Sequence, residues 1–244
     1  MSQERPTYLI LGGGGAVGSA VARLLAAAGA HPVVGGRSPE PLERLAGEVG
    51  GTAHPLDARD FGAVAEAVDR AASLGPFRGA ANLVGSIELR PASSTSRELF
   101  DEVIATNLAT AFALVRSAGP VLARGGGGSM VLMSSAAATV GLPNHEAIAA
   151  AKAGVEGLMR SAAAGLARRK VRVNAVAPGL VDTPLAARIT SNERSLEASR
   201  GLHPLGRIGT PGEVAEVVAW LLQEGSGWVT GAVIPVDGGM ASLR

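Results

Sequence analysis

Short apolar runs, each four to seven residues long, recur along this chain between longer segments of helical period. Runs of that length without polar alternation suit strands buried on both faces, and helices must then cover both faces. The alternation predicts stacked βαβ units around a mostly parallel sheet. Strands are predicted at residues 8–11, 32–35, 79–84, 130–133, 171–177 and 232–236. A seventh, at 52–56, is a weaker pattern because Pro55 has no amide to donate. Val17, Val21, Leu24, Leu25 and Ala28 share one helical face, and Gly29 then supplies a stop. Further helices are predicted at 61–72, 98–118, 147–168 and 212–223, and the polar stretch 182–209 reads as a substrate-covering loop with short helices.

Composition bounds what such a fold can do. With 244 residues, 47% hydrophobic and 18% charged, the chain can bury one substantial core, so a single domain over 1–244 is expected. A formal net charge of +1 gives no broad positive field, which argues against nucleic-acid and membrane partners. The absence of cysteine excludes disulfides, thiolate metal sites and cysteine nucleophiles, and agrees with a cytoplasmic location. Four scattered histidines show no ligand spacing, so no metal is expected. The opening MSQERP mixes charges and leads into a run that breaks at Gly12, unlike a signal or transit peptide.

The first run ends directly in Gly12-Gly13-Gly14-Gly15-Ala16-Val17-Gly18, where Gly13, Gly15 and Gly18 satisfy G-x-G-x-x-G at the opening of a helix. Glycines let such a turn tighten and let backbone amides approach a pyrophosphate, whose charge the helix N-terminus favours. Gly12, Gly13, Gly15, Val17 and Gly18 are therefore candidate contacts to a dinucleotide, against the plainer reading of a flexible glycine turn. About 20 residues on, where an NAD site often has a carboxylate, stand Gly35-Gly36-Arg37-Ser38. Arg37 and Ser38 suit the 2′-phosphate of NADP(H), with NAD(H) the second choice. The alternative is a solvated Arg37 paired with Glu40 or Glu43.

Over nearly its full length the chain resembles the short-chain dehydrogenase/reductase family. The resemblance is carried by Val171-Arg-Val-Asn-Ala-Val-Ala-Pro-Gly179, by Pro204-Leu-Gly-Arg-Ile-Gly-Thr-Pro211 and by Val236-Asp-Gly-Gly239. It implies a three-layer Rossmann fold with a doubly wound, mostly parallel seven-stranded sheet, and oxidoreductase activity on a carbonyl or alcohol. It also implies that Asp57 and Ala58 border the adenine, and that Asn82, Val84 and Gly85 form the strand end beside the cofactor. Pro178, Gly179, Val181 and Thr183 would close over the nicotinamide. The match is incomplete, with Leu83 and Val84 where the family has asparagine and alanine, Leu11 in place of threonine and Ala16 in place of glycine.

The family's catalytic asparagine, serine and lysine match Asn107, Ser135 and Lys152. At its tyrosine position, four before the lysine, stands Ile148, and the only tyrosine in the chain is Tyr8 in the first strand. The resemblance implies that Lys152 holds the nicotinamide ribose and Ser135 orients a carbonyl, but isoleucine has no proton to give. His145, seven residues before Lys152, is two helical turns back on the same face, and an imidazole is a side chain that can exchange a proton. Two readings are open for it: a substitute acid, or a turn residue capping the helix. His203 and Glu146 have no spacing that ties them to the cofactor. A nucleotide-binding sensor or regulatory subunit without catalysis is the alternative function. Family likeness implies a homotetramer, or a homodimer, built on the 98–118 and 147–168 helices. Ser86, Ile87, Leu142, Leu185 and Ile189 are the expected lining for a small organic substrate.

Overall fold

The computed structural model describes residues 5–243. The reading of MSQERP rests mainly on residues 1–4, outside the described residues. Seven strands, β1 (Thr7–Leu11), β2 (His31–Gly36), β3 (Thr52–Pro55), β4 (Phe77–Asn82), β5 (Gly128–Met133), β6 (Val171–Pro178) and β7 (Val233–Val236), form one sheet in the order β3-β2-β1-β4-β5-β6-β7. Every pairing is parallel. The sheet is thus doubly wound, with its direction of growth reversing between β1 and β4.

Both faces are covered. Leu9 and Leu11 point to one side, with α3 (Phe61–Ser73), α5 (Thr110–Arg124) and α6 (Glu146–Leu166). Tyr8 and Ile10 point to the other, with α1 (Ala16–Ala27), α2 (Pro39–Val49) and α9 (Pro211–Leu222). Leu9, Ile10 and Leu11 are fully buried, and each such side chain contributes about 1.5–3 kcal/mol on leaving water. That double burial is why β1 reads as an unbroken apolar run.

Two predicted boundaries need correction. Helix α2 is absent from the reading of the sequence, because Pro39 and Pro41 resemble a loop and only Leu42, Leu45 and Ala46 are buried. Proline at the start of a helix, however, removes only an amide that has no partner there. The predicted 98–118 helix is α4 (Arg97–Ile104), a π-helical turn over Ala105–Ala109, and α5, which continues past Pro120 to Arg124. The 182–209 stretch contains α7 (Ala187–Thr190) and α8 (Glu193–Leu202), as expected of a loop with short helices. Its two ends are tied together, since Asp182 N–H donates to Gly209 O and Gly209 N–H to Leu180 O, both at 2.9 Å. Among the described residues no helix is long and apolar enough to cross a membrane.

Candidate active site

The glycine turn lies at the C-terminal end of β1, beside the end of β4, where the doubly wound sheet reverses. Leu83 N–H donates to Leu11 O at 2.9 Å, so the two chain ends run together. Space there is used up: a Cβ on Gly12 would sit 2.9 Å from the Leu83 carbonyl carbon, and one on Gly13 would sit 2.8 Å from Val34 Cβ. A Cβ on Gly18 would overlap the Gly12 carbonyl oxygen. Helix α1 then begins at Ala16, after the N-cap Gly15, with no side-chain cap and no acidic residue in its first turn. Its first amides, including that of Val17, have no intrahelical acceptor and leave a positive end free for an anion. This glycine-lined cradle, which side chains would fill, fits the pyrophosphate of a dinucleotide.

At the end of β2, Arg37 and Ser38 are exposed, and Ser38 starts α2 without a cap bond from its hydroxyl. Arg37 forms no ion pair with Glu40 or Glu43 among the described residues, so the pairing alternative is not realised. Asp57 is tied to its neighbour Arg59. Its carboxylate is bonded by the Arg59 guanidinium at 2.7 Å and by the Arg59 amide, which hold it below the usual carboxylate range, with Arg37 adding a smaller pull. Arg59 reaches on to Glu102 at 2.9 Å. Ala58 beside it is buried.

Asn82 is buried and donates to Thr110 Oγ1 at 3.0 Å, while its own oxygen accepts from Val84 N–H. Asn107 lies in the π-helical turn, a distortion that re-aims side chains and recurs at functional sites. Both its amide hydrogens are committed, to Ser86 Oγ and to Val103 O at 3.0 Å, and its oxygen accepts from Ser86 N–H. Gly85 passes between Asn107 and Lys152: a Cβ there would be 3.0 Å from Asn107 Oδ1 and 3.4 Å from Lys152 Nζ. Lys152 is buried, and Nζ donates to Met133 O at 2.8 Å, with no carboxylate partner among the described residues. Burial pulls its ammonium from 10.5 down to about 8.

Ser135 follows β5 and accepts the Ala137 N–H at 3.2 Å, which leaves its hydroxyl hydrogen free to donate. It lines a cavity of about 540 Å³ together with His145, Ile148, Pro178 and Gly179. Of the predicted pocket residues Ile87, Leu142, Leu185 and Ile189 line it, whereas Ser86 does not and instead holds Asn107. Ile148 is buried against Val103 and Ala151 with one edge on the cavity. His145 stands at the start of α6 but makes no cap bond. Its Nδ1 lies 2.8 Å from Pro143 O, which only accepts, so Nδ1 carries the hydrogen and Nε2 has no partner among the described residues.

His203 has a role its spacing gave no sign of. Leu180 N–H donates to its Nε2 at 3.1 Å and its Nδ1 donates to Ser199 O at 2.7 Å, so a buried ring pins α8 to the end of β6. The two partners lie on either side of a loop excursion, and no local pattern links them. Val181 pairs with Gly209 in an isolated bridge, and the Thr183 hydroxyl accepts from Ala186 N–H to cap the first turn of the 182–209 segment. Ser134 ties β5 to α6 through Glu156 at 2.8 Å, a second link the sequence did not signal.

The family model described as Enoyl-(Acyl carrier protein) reductase matches residues 14–241. A 3-oxoacyl-[acyl-carrier-protein] reductase FabG of Thermotoga maritima is 34% identical, over 98% of this chain and 99% of its own. A short-chain type dehydrogenase/reductase from Mycobacterium ulcerans is 33% identical with a TM-score of 0.93, over 99% of this chain and 91% of that one. A variant of the actinorhodin polyketide ketoreductase, solved with NADPH, has a TM-score of 0.91 at 28% identity, over 99% of both chains. With sequence and backbone aligned from end to end to oxidoreductases of the carbonyl and alcohol type, the chain belongs to the short-chain dehydrogenase/reductase family.

Proposed function

We propose that this chain is an NADP(H)-dependent oxidoreductase interconverting a small carbonyl compound and its alcohol, with His145 exchanging the proton where the family has tyrosine and this chain has Ile148. The observation that carries the reading is one cavity, bounded by the end of β6, onto which Ser135, His145 and Ile148 all face, with Lys152 one helical turn beyond Ile148. NADP(H) is supported by the exposed Arg37 and Ser38 at the end of β2 and by a relative of this backbone solved with NADPH. When bound, the nicotinamide supplies or accepts the hydride. The α1 amides and Arg37 bind phosphate, and Lys152 donates to the ribose hydroxyls from the Gly85 side. Ser135 donates its free hydroxyl hydrogen to the substrate oxygen. His145, oriented by Pro143 O, gives that oxygen its proton from Nε2.

The nucleotide assignment is tested by titrating the purified chain with NADPH and with NADH, followed by nicotinamide fluorescence. NADPH is expected to bind more tightly, and Arg37→Ala to weaken it by about tenfold to a hundredfold, the scale of a charge-assisted bond to phosphate, while leaving NADH unchanged. Equal weakening of both nucleotides would remove the 2′-phosphate role. For the proton, His145→Ala is expected to lower kcat for ketone reduction by about 10²–10⁴-fold with unchanged NADPH affinity. The buried apolar seat of Ile148 favours a second reading, nucleotide binding without turnover. Under it the parent chain is inactive across a ketone panel, and Ile148→Tyr is the variant that gains activity.

A further inference from the structure

The charged residues of the cavity are Glu88, Arg90 and Arg188, two positive against one negative. They come from different walls: Glu88 and Arg90 from the segment after β4, and Arg188 from α7 of the lid. Arg23, Arg59, Arg97, Arg160, Arg200 and Arg207 each have a carboxylate within ion-pair distance. Arg90 and Arg188 have none among the described residues, although Glu88 shares their cavity. Both are exposed at the cavity's outer edge, alongside Leu89 (37% exposed) and Leu185 (55% exposed). Leu142, Ile148, Ile189, Leu202 and Met240, all buried or half-buried, give the cavity its apolar wall.

We infer that the substrate of this pocket is an amphipathic carboxylate, with an apolar body in the cavity and its carboxylate held at the mouth between Arg90 and Arg188. The inference rests on the oxidoreductase reading for the word substrate, but the binding geometry is independent of turnover. Guanidinium groups pair with carboxylates through two parallel hydrogen bonds, which is the geometry that selects this anion. Exposed leucines at the same mouth gain by covering an apolar chain, whereas a purely polar ligand leaves them in water. The volume of about 540 Å³ suits a ligand with a ring or short chain. Placing one arginine on the lid also makes the anion a tie between lid and body, so the charge selects ligands and helps to close the site over them.

The test compares 5-oxo-5-phenylpentanoate with its methyl ester, two ketones that differ in charge at one end, by calorimetric binding to the full chain. The carboxylate is expected to bind about tenfold more tightly than the ester. Arg188→Gln and Arg90→Gln are each expected to erode that preference, the double variant to abolish it, and the ester to bind all forms alike. High salt should shrink the preference in the parent chain. Equal affinity for acid and ester, equal losses of both ligands in the variants, or no carboxylate binding at millimolar concentration overturns the inference. The NADPH titration separates the two claims. NADPH binding without the acid preference removes only the inference, and the acid preference without NADPH binding removes only the oxidoreductase reading.

Discussion

Replacing Gly18 with alanine is expected to destabilise the chain by about 1–3 kcal/mol, lowering Tm by roughly 5–10 °C, and to eliminate measurable dinucleotide binding. The position lies in the first turn of α1 and is buried, and the added methyl would overlap the Gly12 carbonyl oxygen and lie 2.8 Å from Gly13 Cα. These are backbone atoms of the phosphate cradle, so relief comes only from moving the turn away from its place against Leu83 and Val34. Gly14 is the control. It is exposed, and a Cβ there would meet nothing nearer than Leu42 Cδ2 at 3.6 Å, an ordinary contact. Gly14→Ala is expected to leave Tm unchanged or raise it slightly, because it removes conformational freedom from the unfolded chain. Thermal unfolding of the two variants side by side decides the matter. A Gly18→Ala chain that melts with the parent and binds NADPH normally would show that the turn is not a tight cradle.

The second large effect concerns the buried amine. A Lys152→Met chain is expected to lose turnover and, at about pH 7, to be at least as stable as the parent. The folded chain holds the Lys152 proton less tightly than the unfolded chain does, because burial lowers its pKa from 10.5 to about 8. Below about pH 8 the ammonium is charged in both states, and the folded state carries a desolvation cost of order 3 kcal/mol. As pH rises from about 8 to about 10.5 only the unfolded chain remains protonated, and the cost disappears; stability is gained upward across that window, lost as pH falls from 10.5 to 8, and constant below 8. Methionine removes the charge and leaves Met133 O without its donor, a loss of about 1–3 kcal/mol that offsets part of the gain at low pH. The stability difference between variant and parent should therefore fall by about 3 kcal/mol between pH 7 and pH 10.5, whatever its starting value. Denaturant midpoints measured across that range test this, and parallel pH curves for the two proteins would rule out a destabilised ammonium. The expected convergence would mean that the site keeps Lys152 at a cost in stability because its chemistry needs a donor there.

Much of this architecture was already legible in the residues. Six of the seven strands were marked by short apolar runs, β3 only weakly because of Pro55, and the glycine run was marked by its place between a strand and a helix. Helix α2 was hidden because its prolines, harmless at a helix start, look the same as loop prolines when packing is unknown. The π-helical turn at Asn107 was hidden for a related reason: a five-residue widening leaves the surrounding helical period almost intact.

By itself the sequence determined the alternation of buried strands and helices, the glycine run between the first strand and its helix, the Arg37-Ser38 pair after β2, and the lack of any tyrosine outside β1. These follow from local rules, periodicity and the sterics of glycine, which act between neighbours in the chain. Tertiary structure alone decided that His203 locks α8 to Leu180, that Arg59 bonds Asp57, that His145 turns Nδ1 to Pro143, and that Arg90 and Arg188 line one cavity. Each of these depends on which carbonyl, carboxylate or empty space lies opposite a side chain once the sheet has closed. Residues such as Arg90 and Arg188, 98 positions apart, acquire a common function only through that closure.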